Sequence, residues 1–452
     1  MIPNNVTPQP QVTLRRQLHR WDLTAIGVNQ VIGSGIFLLP SAVAAQIGAW
    51  SIPAFVLAGV ASMLVALCFA EVGSRFASTG GPYLYTRAAF GRFIGFEVGW
   101  MQWVTRVTSW AGVANGIPLA LGFYTPALNS GVPRITLIIG LFVVLGAINV
   151  RGIKHSAWTV NVLTVGKLAP LAIFIVVGLF YVELERFTAF DSVSWPEASA
   201  AGLLLIFAFG GFEVVPVPAG EASDPRGQIP FAMVSTIVVI SSVMLLAHVV
   251  AMGTLSNLTA SMTPLADAAV TFMGAAGALL IGLGSVISMT GNNAGQALTA
   301  SRMLFTLAEN EELPPYMARI HQTFRTPATA IVITTGISLA LALSGSFVAL
   351  ATASAVTRLV IYTGVCAATL RLRHPRYEGI VQPPRFTTPM GFVVPLLGIV
   401  VSVTLLVGAS AEQLFGGIVA LGIGAALFFL NDSLRRSRQR SNLLIGKAPR
   451  RR

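Results

Sequence analysis

Long apolar runs separated by short polar and basic connections recur along this chain from about residue 21 to about residue 431. Crossing the hydrocarbon core of a bilayer takes roughly 20 consecutive apolar residues. Twelve runs come near or exceed that length: 21–47, 51–73, 95–121, 134–150, 156–181, 200–221, 229–254, 270–306, 326–343, 347–370, 388–409 and 412–431. Each is read as a helical span. The third, fifth and eighth are longer than one hydrocarbon thickness, which predicts tilt or extension beyond the bilayer. The pattern is that of an all-α polytopic membrane protein.

Two of the runs carry an interruption. Gly33-Ser34-Gly35 sits near the middle of the first, and Gly210-Gly211 near the middle of the sixth, followed at once by Phe212 and Glu213. Glycine weakens a helix and lets backbone approach a neighbour closely. Unwound backbone at membrane depth is tolerated only where it is enclosed by protein or lines a cavity. A half-helix starting at such a break turns free N–H groups toward that cavity, a natural site for an anion. Small residues also serve close packing of membrane helices, so a single glycine pair says little. The matched positions and the embedded acid carry the inference.

Composition agrees with the pattern. The chain is 54% hydrophobic and 10% charged, against about 25% charged in a typical soluble domain. The first run is longer than a signal peptide's apolar stretch and no small-residue cleavage site follows it, so it is expected to remain as a span.

A formal net charge of +12 raises the question of nucleic acid, but its distribution argues for topology. Most of the 29 Lys and Arg fall before the first span, after the even-numbered spans and in the C-terminal tail. Arg134 and Arg186 are the basic residues of the opposite loops. The positive-inside rule then puts both termini in the cytoplasm and requires an even number of spans. The basic tail lies next to anionic headgroups on this reading. Partners are the lipid bilayer and a small molecule, with no nucleic acid.

Cys68 and Cys366 fall inside spans two and ten and are expected as free, buried thiols. No Cys/His cluster, P-loop or serine elbow is present, and Gly33-Ser34-Gly35 lacks the third glycine of a dinucleotide fingerprint. No cofactor or metal is expected, nor an enzyme.

Gly33 and Gly210 are separated by about five units of roughly 35 residues, one span of ~20 plus its connection. Matching broken helices one five-span unit apart point to an inverted-repeat secondary transporter. Five is odd, so the second repeat enters from the opposite side. The organisation expected is a tail at 1–20, repeats at 21–181 and 200–370, two further helices at 388–431 and a basic tail at 432–452.

The anchors are Ile32-Gly33-Ser34-Gly35-Ile36-Phe37 and Phe207-Ala208-Phe209-Gly210-Gly211-Phe212-Glu213. With them go Ala70-Glu71-Val72-Gly73-Ser74-Arg75-Phe76, Thr79-Gly80-Gly81-Pro82-Tyr83, Gly220-Glu221-Ala222-Ser223-Asp224-Pro225-Arg226 and Ala300-Ser301-Arg302-Met303-Leu304-Phe305. Across residues 15–431 the chain resembles a bacterial member of the amino acid–polyamine–organocation transporters. The resemblance implies twelve transmembrane helices in a 5+5 inverted-repeat (LeuT-like) fold with helices one and six broken. It implies that a substrate α-carboxylate meets the N–H groups of Ser34, Gly35 and Ile36. The α-amino group would meet carbonyls of Phe207, Ala208 and Gly210. Phe207 or Phe212 is either a gate or pocket wall, or packing.

Charges inside spans are costly and normally face the protein interior. Lys167, in span five, is such a residue. Some members of the family carry a lysine at the matching place, where its ammonium stands in for a sodium ion used by relatives of the fold. That implies sodium-independent transport, proton-coupled or by exchange. The alternative is a lysine that snorkels to an interface. Glu213 is either a protonatable gate or the polar partner that closes the broken helix. Arg106 and Arg358 need acceptors and are read as structural pairs, and Asn292 and Asn293 as interhelical hydrogen bonders.

The function expected is a secondary active transporter of amino acids, working by alternating access in the cell membrane. An amine or polyamine transporter of the same fold is the alternative, and behind it a membrane-embedded sensor or enzyme. Several pocket acids would favour a polyamine, and only Glu213 lies near a break.

Overall fold

The computed structural model describes residues 17–152, 157–188 and 190–444, with the backbone alone for 157–163 and 437–444. Arg15, Arg16 and Lys154, and Lys447 and Arg450 to Arg452 of the basic tail, lie outside the described residues. Among the described residues the regular structure is helical, with two isolated bridges, Leu18 to Ala222 and Glu378 to Val381.

The first predicted span is two helices, α1 (Arg20–Val31) and α2 (Gly35–Ile47), parted at Ile32-Gly33-Ser34. Helices α3 (Ser51–Gly73), α5 (Arg92–Gly122), α6 (Gly131–Arg151) and α7 (Ala157–Gly178) follow, with a short α4 (Pro82–Phe90) in the connection before α5. Then come α8 (Trp195–Phe209), α9 (Pro225–Thr254), α10 (Pro264–Glu309), α11 (Ala328–Ser344), α12 (Phe347–Leu372), α13 (Val393–Val407) and α14 (Ala411–Leu444).

Helix α14 runs on into the expected tail as far as Leu444, and two spans differ from expectation in their course. The sixth predicted span is α-helical only as far as Phe209. Beyond Gly210-Gly211 the chain runs through turns and short 3-10 segments at Phe212–Val214 and Ala219–Glu221. Pro216 and Pro218 lie in that stretch, and proline removes the N–H that an α-helical ladder needs. The eighth predicted span is interrupted at Gly274, whose φ of 62° and ψ of −156° lie outside the helical region.

Among the described residues, seven helical stretches are long and apolar enough to cross a membrane, and Trp195–Phe209, Ala328–Ser344 and Val393–Val407 are shorter apolar helices. The outside is apolar: Val143, Val176, Val332, Phe415 and Ile418 are exposed. The inside holds charge: Glu71, Arg106, Lys167, Glu213 and Arg358 are buried. A soluble domain keeps such charges out and such side chains in. This inverted distribution fits a chain solvated by lipid. Helix α5 shows it within one element, since Gln102, Arg106, Ser109 and Asn115 are all buried.

The broken elements sit at the centre of the bundle. Helix α1 packs on α7 and α9, α2 on α8, and α8 on α12, while α5 packs on α10 and α12. Cys68 and Cys366 are free and buried, as expected.

Candidate functional site

The first break is built by close approach. A Cβ on Gly35 would lie 2.9 Å from the Ala208 Cα, and one on Gly33 would lie 2.9 Å from Asn292 Nδ2. Glycine at both places lets the start of α2 touch the end of α8 and one face of α10. Gly35 and Ile36 open α2, so their N–H groups have no acceptor within that helix. Ser34 precedes them, and its Oγ is buried without a hydrogen-bond partner.

Lys167 lies directly against this break. Its side chain is 1% exposed, and Nζ donates to the carbonyl oxygens of Asn29 at 3.0 Å and Ile32 at 3.2 Å. These carbonyls belong to the last turn of α1 and to the residue that caps it, where acceptors are left over. A cation at that end also faces the negative pole of the helix dipole. The lysine therefore does not snorkel. Ser288 on α10 donates to Ile32 O at 3.0 Å, and Asn292 Nδ2 to Gln30 O at 2.7 Å. Asn292 thus makes the interhelical bond expected of it, whereas both side-chain polar atoms of Asn293 are buried without a partner.

The second break turns on Gly211. Its φ of 132° is accessible to glycine and rarely to other residues. A Cβ there would also stand 2.7 Å from the carbonyl group of Gln30. The Phe207 carbonyl is engaged by the N–H of Gly210 at 3.1 Å. Glu213 closes the break from below, its Oε2 accepting the Gly211 N–H at 2.8 Å and the Tyr362 hydroxyl at 3.3 Å. Its Oε1 accepts Arg106 Nη2 at 2.7 Å and Arg358 Nε at 2.9 Å. The arginines of α5 and α12 thus find a shared acid, the pairing expected of them.

Between the two breaks lies a small cavity lined in part by Gln30, Ser34, Gly35, Phe207, Gly210 and Arg358. It leaves about 10 Å³ for the centre of a water-sized sphere, room for about one water. Of the expected binding residues, Ser34, Gly35, Phe207 and Gly210 line it. Ile36 and Ala208 are buried beside it. Of the two aromatic candidates, Phe207 lines the space and meets Phe347 edge to face at 6.0 Å. Phe212 instead stacks on Tyr362 at 5.3 Å, with Phe69 on its edge. Gln30, Asn292, Gln296, Ser109 and Arg358 were not foreseen as lining residues. Their signal was polarity inside an apolar run, which does not say which polar side chains face a cavity.

His248 is buried, with Nε2 2.7 Å from Ser51 Oγ and its ring stacked on Phe55, and it does not line the cavity. Among the described residues there is no cluster of His, Cys, Asp and Glu fit to hold a metal ion.

Residues 18–429 match the family described as amino acid permease. The chain is 29% identical to the serine/threonine exchanger SteT of Bacillus subtilis, over 82% of this chain and 86% of that one. It is 26% identical to the methylthioribose transporter of the same organism, over 92% and 94%. It is 30% identical to an uncharacterized transporter of Mycobacterium tuberculosis, over 86% and 87%. With a bundle solvated by lipid and matches spanning nearly its whole length, this chain belongs to the amino acid permease family of membrane transporters.

Proposed function

We propose that this transporter carries amino acids by alternating access around the cavity between its two helix breaks. The observation that carries the reading is that one small space is lined by Ser34 and Gly35 of the first break and by Phe207 and Gly210 of the second. The start of α2 offers N–H groups and a positive dipole end to a carboxylate. Around the same space, the amide oxygens Gln30 Oε1 and Asn292 Oδ1 are buried without partners, and they are acceptors for an ammonium. Those two chemistries are the two ends of a zwitterion. The relatives' names, a serine/threonine exchanger and a methylthioribose transporter, support a small polar substrate.

The wider arrangement goes with this reading. Twelve spans, with repeats at 21–181 and 200–370 in opposite orientation, would place both breaks at the same depth. Helices 388–431 stand outside the repeat, and the tails at 1–20 and 432–452 are cytoplasmic. Lys167 supplies a fixed cation to the Asn29 and Ile32 carbonyls, so transport proceeds without sodium, by proton coupling or by exchange. Glu213 holds the second break closed while paired with Arg106 and Arg358.

The test is uptake of labelled L-amino acids, a polyamine and methylthioribose into sodium-free proteoliposomes, with and without an inward proton gradient or trapped amino acid. Amino acid uptake without sodium supports the reading. Uptake of the polyamine or methylthioribose alone, from protein shown to be folded, overturns it.

A further inference from the structure

Glu213 is one carboxylate facing two guanidinium groups, and its hydrogen-bonding capacity is nearly spent. Oε1 serves Arg106 and Arg358, and Oε2 serves the Gly211 N–H and the Tyr362 hydroxyl. Arg106 completes a second contact with a neutral partner, Gln296 Oε1, at 3.2 Å. Arg358 fares worse. Its Nη2 reaches Ser109 Oγ at 3.4 Å, and its Nη1 is buried without an acceptor. The side chain is 1% exposed and lines the cavity between the breaks. A Cβ on Gly210 would lie 2.2 Å from that Nη1, so the glycine leaves the guanidinium its place beside the second break.

The cluster of Arg106, Arg358 and Glu213 therefore carries one uncompensated positive charge at full burial. Such a charge costs several kcal/mol unless an anion meets it. Guanidinium is also the side chain best matched to a carboxylate, through two parallel N–H donors. The cavity thus offers two places for negative charge, the opening turn of α2 with Ser34, and Arg358. Two unpaired amide oxygens, on Gln30 and Asn292, remain for one ammonium. We propose that Arg358 contacts the substrate directly and that the site selects amino acids bearing a second carboxylate. The inference rests on the amino acid reading above and narrows it to acidic substrates.

Isosteric pairs test it: aspartate against asparagine, and glutamate against glutamine. In proteoliposomes the wild type is expected to take up aspartate or glutamate at least tenfold faster than its amide. In detergent, the acid but not the amide is expected to raise the melting temperature. Arg358→Gln is expected to bring the acid-to-amide ratio close to one, and Arg358→Lys to keep part of it. Should the glutamine variant fail to fold, the wild-type pair comparison and the lysine variant decide alone. Uptake of asparagine or serine with no advantage to the acids overturns this inference and leaves the amino acid reading standing. So does neutral uptake that requires chloride, since an inorganic anion would then fill the place beside Arg358. No uptake and no melting shift with any amino acid, in folded protein, overturns both.

Discussion

Lys167 Nζ donates to the Asn29 carbonyl oxygen at 3.0 Å, tying α7 to the last turn of the first half-helix. With the Ile32 carbonyl at 3.2 Å, the ammonium occupies the place where a broken helix has carbonyls to spare. Lys167→Ala takes this donor from the Asn29 carbonyl and leaves the Ile32 carbonyl to Ser288 alone, and an unmet buried polar group costs about 1–3 kcal/mol. The expected outcome is a melting temperature lowered by several degrees and sodium-free uptake reduced at least tenfold. Lys167→Arg places a larger head group in a fully enclosed site and is expected to lose uptake as well. Melting curves and initial uptake rates check both.

The two breaks make different demands on glycine. At Gly35 the obstacle to a side chain is space, since a Cβ would press on the Ala208 backbone at 2.9 Å. At Gly211 it is both space and conformation, with φ at 132° and the Gln30 carbonyl group at 2.7 Å. The positive φ adds at Gly211 a conformational cost that Gly35 does not carry. Gly211→Ala is therefore expected to lower the yield of folded protein sharply. Gly35→Ala is expected to fold and lose uptake at least tenfold. Size-exclusion profiles compared with uptake per folded molecule separate the two effects.

How far these features were legible in the chain follows from what an apolar pattern can encode. Gly33, Gly35, Gly210 and Gly211 stand out because small residues interrupt long runs at matched places. The boundaries of α3, α6 and α7 follow from the lengths of the runs. The turns after Gly211 were read as helix because Val214, Val215 and Val217 continue the apolar pattern, while Pro216 and Pro218 decide the backbone. The break at Gly274 is hidden among the small residues Gly274-Ala275-Ala276-Gly277. Arg106, Arg358 and Glu213 lie far apart in sequence, so their meeting is a property of helix packing alone. That Arg358 lines the cavity follows from helix rotation, which nearly all-round apolar helices leave undetermined.

The cluster below the second break gives a prediction with a sign. Removing Glu213 leaves Arg106 and Arg358 as uncompensated buried charges, and breaking a buried ion pair costs about 3–5 kcal/mol. Glu213→Gln is expected to destabilise the protein by an amount in that range. Adding Arg106→Gln to it removes one of the stranded charges, so the double variant should be the more stable of the two. Residues that share partners are coupled in this way, and the double-mutant cycle measures it. If Arg106 and Glu213 act independently, the two losses will add.

At one end of the bundle, Glu71 at the close of α3 holds the connection between α12 and α13. Its Oε1 accepts Arg373 Nε at 2.7 Å, and its Oε2 accepts Arg373 Nη2 at 2.5 Å and the Thr388 N–H at 2.8 Å. Arg226 Nε reaches Ser74 O at 2.8 Å, and Arg385 Nη1 pairs with Asp224 at 2.8 Å. Glu71 is buried, whereas the Arg385–Asp224 pair is about half exposed on both sides. Buried charge-assisted bonds contribute more than exposed pairs, which are screened by water and salt. Glu71→Ala should therefore release the connection 373–392, and Asp224→Asn should change it little. Trypsin cleavage after Arg385 and hydrogen exchange at the Thr388 amide give the readout. Both are expected to accelerate at least tenfold in Glu71→Ala and less than threefold in Asp224→Asn. Equal acceleration in the two variants would place the clasp at the surface pair instead.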